Sequence, residues 1–405
     1  MKIGVLTYYS VCNFGANLQA LSTVGKLISM GHQPIFINWY PNNVETYYRQ
    51  ITPQSQYDCT QEYVNKYLVQ TTRCYTSDDV AKAIKHNEVE AVVVGSDAVL
   101  QHHPWHTRIV FPTRHIYTIR KVGADKLCPN PFWGDFYSKL DGKVPAAMMS
   151  ASSQNSPYKT YSAKERKLMD ELLSRFSYIS TRDDWTSNMV KYITKGKITP
   201  SITPDPVFAF NQNVSVVPSE EEIRKKFNLL NPYYLVGFHN SNVVDQLWLK
   251  HFASIAKAKG TDTVAFPFPP GIEFKHPFDK QIDVPLSPLD WYALIKYSAG
   301  YVGHNMHPIV ICLANATPCF SFDHYGIEKF RVFVNEKSSK IYHIMSHFGI
   351  LANRVSCVGK LQKMPTPDYV MMRLEAFDKE MVASKAIEYL SNYNKMMDDI
   401  LSSFK

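Results

Sequence analysis

The stretch YVGHNMHPIVICLANATPCFSFDHYG, from Tyr301 to Gly326, constrains the fold of this chain more than any other. Tyr301 to Gly303 reads as a strand that stops where His304, Asn305 and His307 crowd together, because polar side chains so close cannot all be buried in a parallel sheet. A helix beginning at His307 or Pro308 follows. Pro308 suits a first helical position, where its missing N–H would be unpaired anyway, and Asn305 can accept from the freed backbone donors behind it. Ile309, Val310, Cys312 and Leu313 bury one face, Pro318 ends the helix, and Cys319 to Phe322 returns as a strand. In open α/β sheets ligands sit beyond the carboxyl ends of the strands, and helix N-termini favour anions. The turn is therefore a candidate anion site. In the plainer reading Asn305 is a cap, and the two histidines are satisfied polar groups at a sheet edge.

The same rhythm runs along the rest of the chain. Strand Lys2 to Tyr8, a turn containing Gly15, a helix with Leu18, Leu21, Val24 and Leu27 on one face, and strand Pro34 to Trp39 make a Rossmann-like βαβ opening. Its turn lacks the spacing of the dinucleotide fingerprint, so a nicotinamide cofactor is not indicated. Asn13, Gly15 and Asn17 either line a ligand cleft or simply form the turn and cap of that helix. Strand Ala91 to Val94 ends in Gly95, Ser96 and Asp97, a carboxylate where α/β enzymes place catalytic groups, although as a helix cap Asp97 needs no chemistry. Strand Tyr178 to Thr181 delivers Arg182 and Asp183. The guanidinium can clamp a carboxylate or phosphate, or merely pair with Asp183 or Asp184. ITPDPV, Ile202 to Val207, supplies another strand-end acid, Asp205.

These elements divide into an N-terminal Rossmann-like domain over 1–210, a second over 211–365, and a single amphipathic helix over 366–405, which analogy with other two-domain α/β proteins places back on the first domain. The second domain repeats strand and helix, with His239 and Asn240 at one strand end and Lys329, Arg331 and Lys340 adding positive charge near the same edge. Between the strands at 91–94 and 146–150 runs a long loop, 100–144, rich in aromatic and basic residues. Loops of that length in compact domains are functional or disordered, and the aromatic content argues against disorder, so Trp105, His106 and Trp133 are expected on a lid over an acceptor. No acidic or cysteine partner accompanies HHPWH, so that run is not read as a metal site.

Composition sets outer bounds. The net charge of +8 is spread out, without a nucleic-acid motif, which excludes duplex binding and fits acidic small substrates or an anionic membrane face. The 7 cysteines show no metal-ligand spacing and no paired framework, which points to a reducing cytoplasm. The opening MKIGVLTYY reads as a strand, and no apolar run approaches the roughly 20 residues of a membrane span, so a soluble or peripheral protein is expected.

MKIGVLTYYSVCNFGANLQA, VVVGSDAVLQ, YISTRDDW, TPDPVF and GHNMHP with LANATPCFSFDHYG, in that order, resemble the polysaccharide pyruvyl transferase family over nearly the whole chain. The resemblance implies an α/β fold of two facing Rossmann-like domains, similar to the GT-B glycosyltransferases. It implies transfer of pyruvate from phosphoenolpyruvate, as a ketal, to two hydroxyls of a sugar in cell-surface glycans. It places the family's histidine on His307, its arginine or small polar residue on Asn305, and its first-domain arginine and aspartate on Arg182 and Asp183.

The chemistry then assigns His307 as general acid, Arg182 as donor clamp and Asp97 as base for the acceptor hydroxyl. Arg182, His304, Asn305, His307, Lys329, Lys340, His239 and Asn240 are expected around the donor. Asn13, Gly15, Asn17, Ser96, Asp97, Trp105, His106 and Trp133 are expected around the acceptor. No cofactor and no metal are expected, with phosphoenolpyruvate as co-substrate, a lipid-diphosphate-linked glycan as acceptor, and a cytoplasmic location with peripheral association at the inner membrane face. Two other functions fit the same architecture: a glycosyltransferase using a nucleotide sugar, which needs a second-domain glutamate for the ribose, and a non-catalytic glycan-binding subunit of an assembly complex.

Overall fold

A computed structural model describes residues 1–105, 107–113, 116–140, 144–154, 156–329, 333–358 and 363–405. The first sheet comprises β1 (Lys2–Leu6), β2 (Gln33–Phe36), β3 (Ala91–Asp97), β6 (Ala146–Ala151), β7 (Tyr178–Thr181) and β8 (Ser201–Ile202), with the hairpin β4 (Thr107–Thr113) and β5 (Ile116–Lys121) set apart from it. Its order is β2-β1-β3-β6-β7-β8, and every pairing is parallel. The second sheet is built from β9 (Tyr233–Gly237), β10 (Asp262–Ala265), β11 (Lys280–Gln281), β12 (Gly300–Gly303), β13 (Cys319–Asp323) and β16 (Arg354–Ser356). A small hairpin, β14 (Ile327–Lys329) and β15 (Phe333–Asn335), lies outside it. The order β11-β10-β9-β12-β13-β16, again all parallel, is that of a doubly wound dinucleotide-binding sheet. Two Rossmann-like domains are thus present, as the strand–helix rhythm implies.

Each sheet reverses its winding at one place, β1 beside β3 in the first and β9 beside β12 in the second. Connections leave such neighbours toward opposite faces, which opens a crevice at their carboxyl ends. Those four ends carry the loop to Asn13, then Asp97, His239, and the His304–His307 turn.

Side-chain alternation divides each strand between two layers. In the first sheet Leu6, Val92 and Val94 face a core with Ile84, Met169, Leu172 and Val190, while Ile3, Val5 and Val93 face the opposite way. That opposite layer is shared: it continues through Leu18, Leu235, Ile309 and Met397, so one apolar core spans both domains.

Two expectations are corrected here. The C-terminal segment is two helices, Pro367–Glu375 and Lys379–Ser402, because Asp378 caps a new start through Oδ1 and the Met381 N–H at 2.9 Å. Val370, Met371 and Leu374 of the first pack on the outer layer of the second sheet, whereas the second helix returns to the first sheet, where Ser150 Oγ lies 3.2 Å from Met396 Sδ. Three aromatic residues of the 100–144 loop belong to the core and not to a lid. Phe132, Trp133 and Phe136 are wholly buried, with Phe132 between Tyr8 and Trp39, so their hydrophobic area is already used inside the first domain. Trp133→Ala is accordingly expected to cost about 3–5 kcal/mol in denaturant unfolding; a purely acceptor-facing tryptophan would leave stability unchanged.

Candidate active site

The switch points of the two sheets open onto a common cleft of about 300 Å³, lined by Asn13, Gly15 and Asp97 on one side and His239, Asn305, His307 and Lys340 on the other. A second chamber of about 720 Å³ adjoins it inside the first domain, and Asn13, Tyr47, Tyr48, Asp97 and Gln154 line both.

On the first-domain side the residues fall into two groups. Asn13 caps the helix Phe14–Ser29 through the Ala16 N–H and still borders the cleft. Asn17 does not: fully buried, its Nδ2 donates to the carbonyls of Tyr9 at 2.7 Å and Val11 at 3.1 Å, tying down the turn. Ser96 is also buried and donates to the Ser150 carbonyl, so it too is removed from the acceptor set. Asp97 has φ +85, the left-handed region that a β-carbon disfavours, and this strained backbone presents its carboxylate where the two chambers meet. Trp105 is exposed and borders neither chamber, Trp133 is core, and His106 lies outside the described residues.

Behind Asp97 lies a buried charge cluster. Arg182 Nη1 donates to Asp205 Oδ2 at 2.6 Å, and Nη2 is 3.8 Å from Asp97 Oδ1. Its partners are therefore Asp205 and Asp97 rather than Asp183 or Asp184; Asp183 instead caps the next helix through the Thr186 N–H and accepts from Ser152. Gln19 Nε2 and the Val207 N–H complete the shell of Asp205. Burial would raise the Asp205 carboxyl, but Arg182, His307 and the Val207 amide outweigh it and hold it below the usual range. Arg182 is buried and does not border the cleft, so it positions Asp97 and Asp205 and is not itself a donor clamp.

The second-domain side is set by the helix Met306–Ala314, which starts one residue before the earliest expected position. Asn305 occupies the N-cap without making the cap bond; its Oδ1 lies 2.8 Å from His239 Nε2 instead. His239 is held from its other side by Glu273 Oε2 at 2.9 Å and stacks on Phe268. His304 is buried and its Nδ1 accepts from the His239 N–H; burial and the neighbouring His324 and His239 lower its pKa to about 3. His304 does not border the cleft, which corrects its place in the donor set. Asn240 likewise drops out, because it is exposed and accepts from the Asn242 N–H in a local turn. The side chain of Lys329 lies outside the described residues.

Two cleft residues have strongly altered proton affinity. Burial lowers His307 to about 4, against the pull of Asp205 and Asp97, so the resting ring is neutral at neutral pH. Its Nε2, 3.8 Å from Asp205 Oδ2, has no hydrogen-bond partner among the described residues. Burial lowers Lys340 to about 8, with Arg182 adding to the effect and Asp97 opposing it, and its Nζ sits 4.5 Å from the centroid of the Tyr325 ring. Tyr47, Tyr48, Gln154, Glu273 and Tyr325 border the cleft although sequence reasoning missed them. Tyr47 and Tyr48 lie in the helix Asn42–Ile51, where only the tyrosine-rich composition of 43–79 hinted at them, and Glu273 lies in a loop; Gln154 and Tyr325 follow the ends of β6 and β13 by three and two residues, so the strand-end rule could have found them.

A sequence profile described as polysaccharide pyruvyl transferase matches residues 13–325, well over half of the chain. The chain belongs to this family. No curated protein matches its sequence. Among solved structures, UDP-GlcNAc 2-epimerase from Neisseria meningitidis bound to UDP-GlcNAc is similar, with TM-score 0.54, 9% identity and coverage of 99% of this chain and 100% of that one. A ugt transferase from Siraitia grosvenorii in complex with UDP has TM-score 0.52 and 11% identity, covering 100% of both chains. At such identities the likeness shows the fold alone: this family member has the two-domain architecture of GT-B glycosyltransferases and epimerases. No helix among the described residues is long and apolar enough to cross a membrane.

His307 touches the first domain through Gly15, where a β-carbon would overlap the imidazole. Gly15→Ala is expected to cost about 1–3 kcal/mol by overpacking. In a double-mutant cycle read by unfolding, His307→Ala should remove most of that cost, and strict additivity would contradict the contact.

Proposed function

We propose that the protein moves pyruvate from phosphoenolpyruvate onto two hydroxyls of a sugar, forming a cyclic ketal during synthesis of a surface polysaccharide. Family membership supports the reaction class. The observation that carries the assignment of roles is the placement of Lys340 and His307 across one cleft from Asp97, where the larger chamber meets the smaller.

In this reading the smaller chamber takes the donor and the larger one the sugar. Lys340, charged below its pKa of about 8, holds the phosphate or carboxylate. A polyanion beside His307 favours the imidazolium, so on donor binding the ring takes up from solvent the proton that it lacks at rest. His307 delivers that proton to the methylene carbon while Asp97 accepts the proton of the first attacking hydroxyl. The new C–O bond gives a ketal phosphate. The C–O bond to phosphate then breaks, phosphate leaves with the electron pair, and the second hydroxyl closes the ring as its proton goes to the departing phosphate. No redox step and no cofactor are needed. The acceptor we assign is a lipid-diphosphate-linked glycan met at the cytoplasmic face of a membrane, to which the net charge of +8 is suited.

One observation favours the nucleotide-sugar reading: Glu273, in the second domain, borders the cleft, where sequence reasoning found no such glutamate. It is engaged by His239 at 2.9 Å, which leaves it less available to a ribose. Calorimetry with phosphoenolpyruvate and with a UDP-sugar separates the two, and binding of the UDP-sugar alone would overturn the pyruvyl reading.

Phosphate release from phosphoenolpyruvate is expected only with a lipid-linked sugar present, and His307→Ala should lower kcat about 10²–10⁴-fold. For phosphoenolpyruvate, kcat/KM should fall as pH rises through about 8, as Lys340 loses its proton. Lys340→Arg should remove that limb, and an unchanged profile in the variant would exclude Lys340 from donor binding.

A further inference from the structure

Helices of the two domains meet a second time behind the cleft. Asp184 opens the helix Asp184–Ile193 after β7, and His343 and His347 lie on the helix Lys340–His347, whose first residue borders the cleft. Their four-residue spacing puts both imidazoles on one helical face, with ring centroids 4.5 Å apart. His343 Nδ1 is 3.0 Å from Asp184 Oδ2, and one ligand atom from each of the three residues lies within 4.8 Å of the others. Two ligands at about 2.1 Å from a tetrahedral zinc ion are themselves about 3.4 Å apart. The three groups therefore need only side-chain adjustment to share one ion.

We propose that Asp184, His343 and His347 form a binding site for a divalent transition-metal ion, with zinc the best fit, that ties the helix carrying Lys340 to the first domain. Two imidazoles and one carboxylate suit zinc, cobalt or nickel, whereas calcium and magnesium prefer oxygen ligands throughout. Access is open, since His343 is buried while Asp184 and His347 are exposed. Glu388 lines the adjoining recess with both histidines and adds negative charge. A hydrogen bond between His343 and Asp184 would by itself tie the helices, but it gives no use to His347, which the metal does. The ion would act structurally: it bridges two domains, so its binding free energy adds to the stability of their packed arrangement.

The test uses the full chain after chelator treatment, with zinc chloride as the probe in calorimetry and thermal unfolding, and cobalt chloride in visible spectroscopy. One ion per chain, a rise in Tm with zinc and a cobalt absorption band are expected. His347→Ala should weaken zinc binding at least about 10-fold and abolish both the Tm rise and the band. Asp184→Asn, also at an exposed residue, should do the same if the first variant folds poorly. Equal zinc affinity in wild type and variants, or no zinc-dependent change in the wild type, would overturn the proposal.

Discussion

Asp205 is fully buried at the seam between the domains, and the surrounding structure keeps its charge satisfied. A carboxylate removed from water is tolerated only with hydrogen-bond donors and an opposite charge around it. Its donors come from three places: Gln19 on the first helix, Arg182 beyond β7, and the backbone at Val207. His307 then approaches from the second domain. The pair is a constraint on geometry more than a source of stability, since desolvating two charges offsets most of their attraction. Its effect is to fix Arg182, and through Arg182 the strained Asp97, relative to a histidine on the other domain.

The same burial explains the electrostatics of the cleft. Apolar layers close in behind His307 and Lys340, and Arg182 contributes a positive field, so both groups are pushed toward their neutral forms. Asp97 and Asp205 offset that shift only in part, so an anion entering the cleft would add countercharge that both groups lack. The start of the helix carrying Lys340 is secured separately. Ser339 accepts from the Ile341 and Tyr342 amides and donates to Asp323, which also pairs with Arg354.

Much of the fold was legible because it depends on local pattern. Short apolar runs ending in glycine or polar residues marked nearly every strand of the two main sheets, and Asn305 marked a helix start. The strand-end rule also located Asp97, Arg182, Asp205, His239, Asn305 and His307. It could not say which of them face the cleft, since a strand end offers both an outward and an inward position. Asn17, Ser96 and His304 turned inward to satisfy backbone groups, and Trp133 entered the core, because burying an indole is worth more than exposing it on a loop.

By itself the sequence determined the alternation of strands and helices, the two Rossmann-like units and the family, since these follow from periodicity and from motifs read within a few residues. Only the tertiary structure decided the pairings across long separations: Arg182 with Asp205, Gly15 against His307, and Asp184 with His343, which are 159 residues apart. Such contacts depend on how two sheets pack, and packing is set by the whole shared core rather than by any segment of the chain.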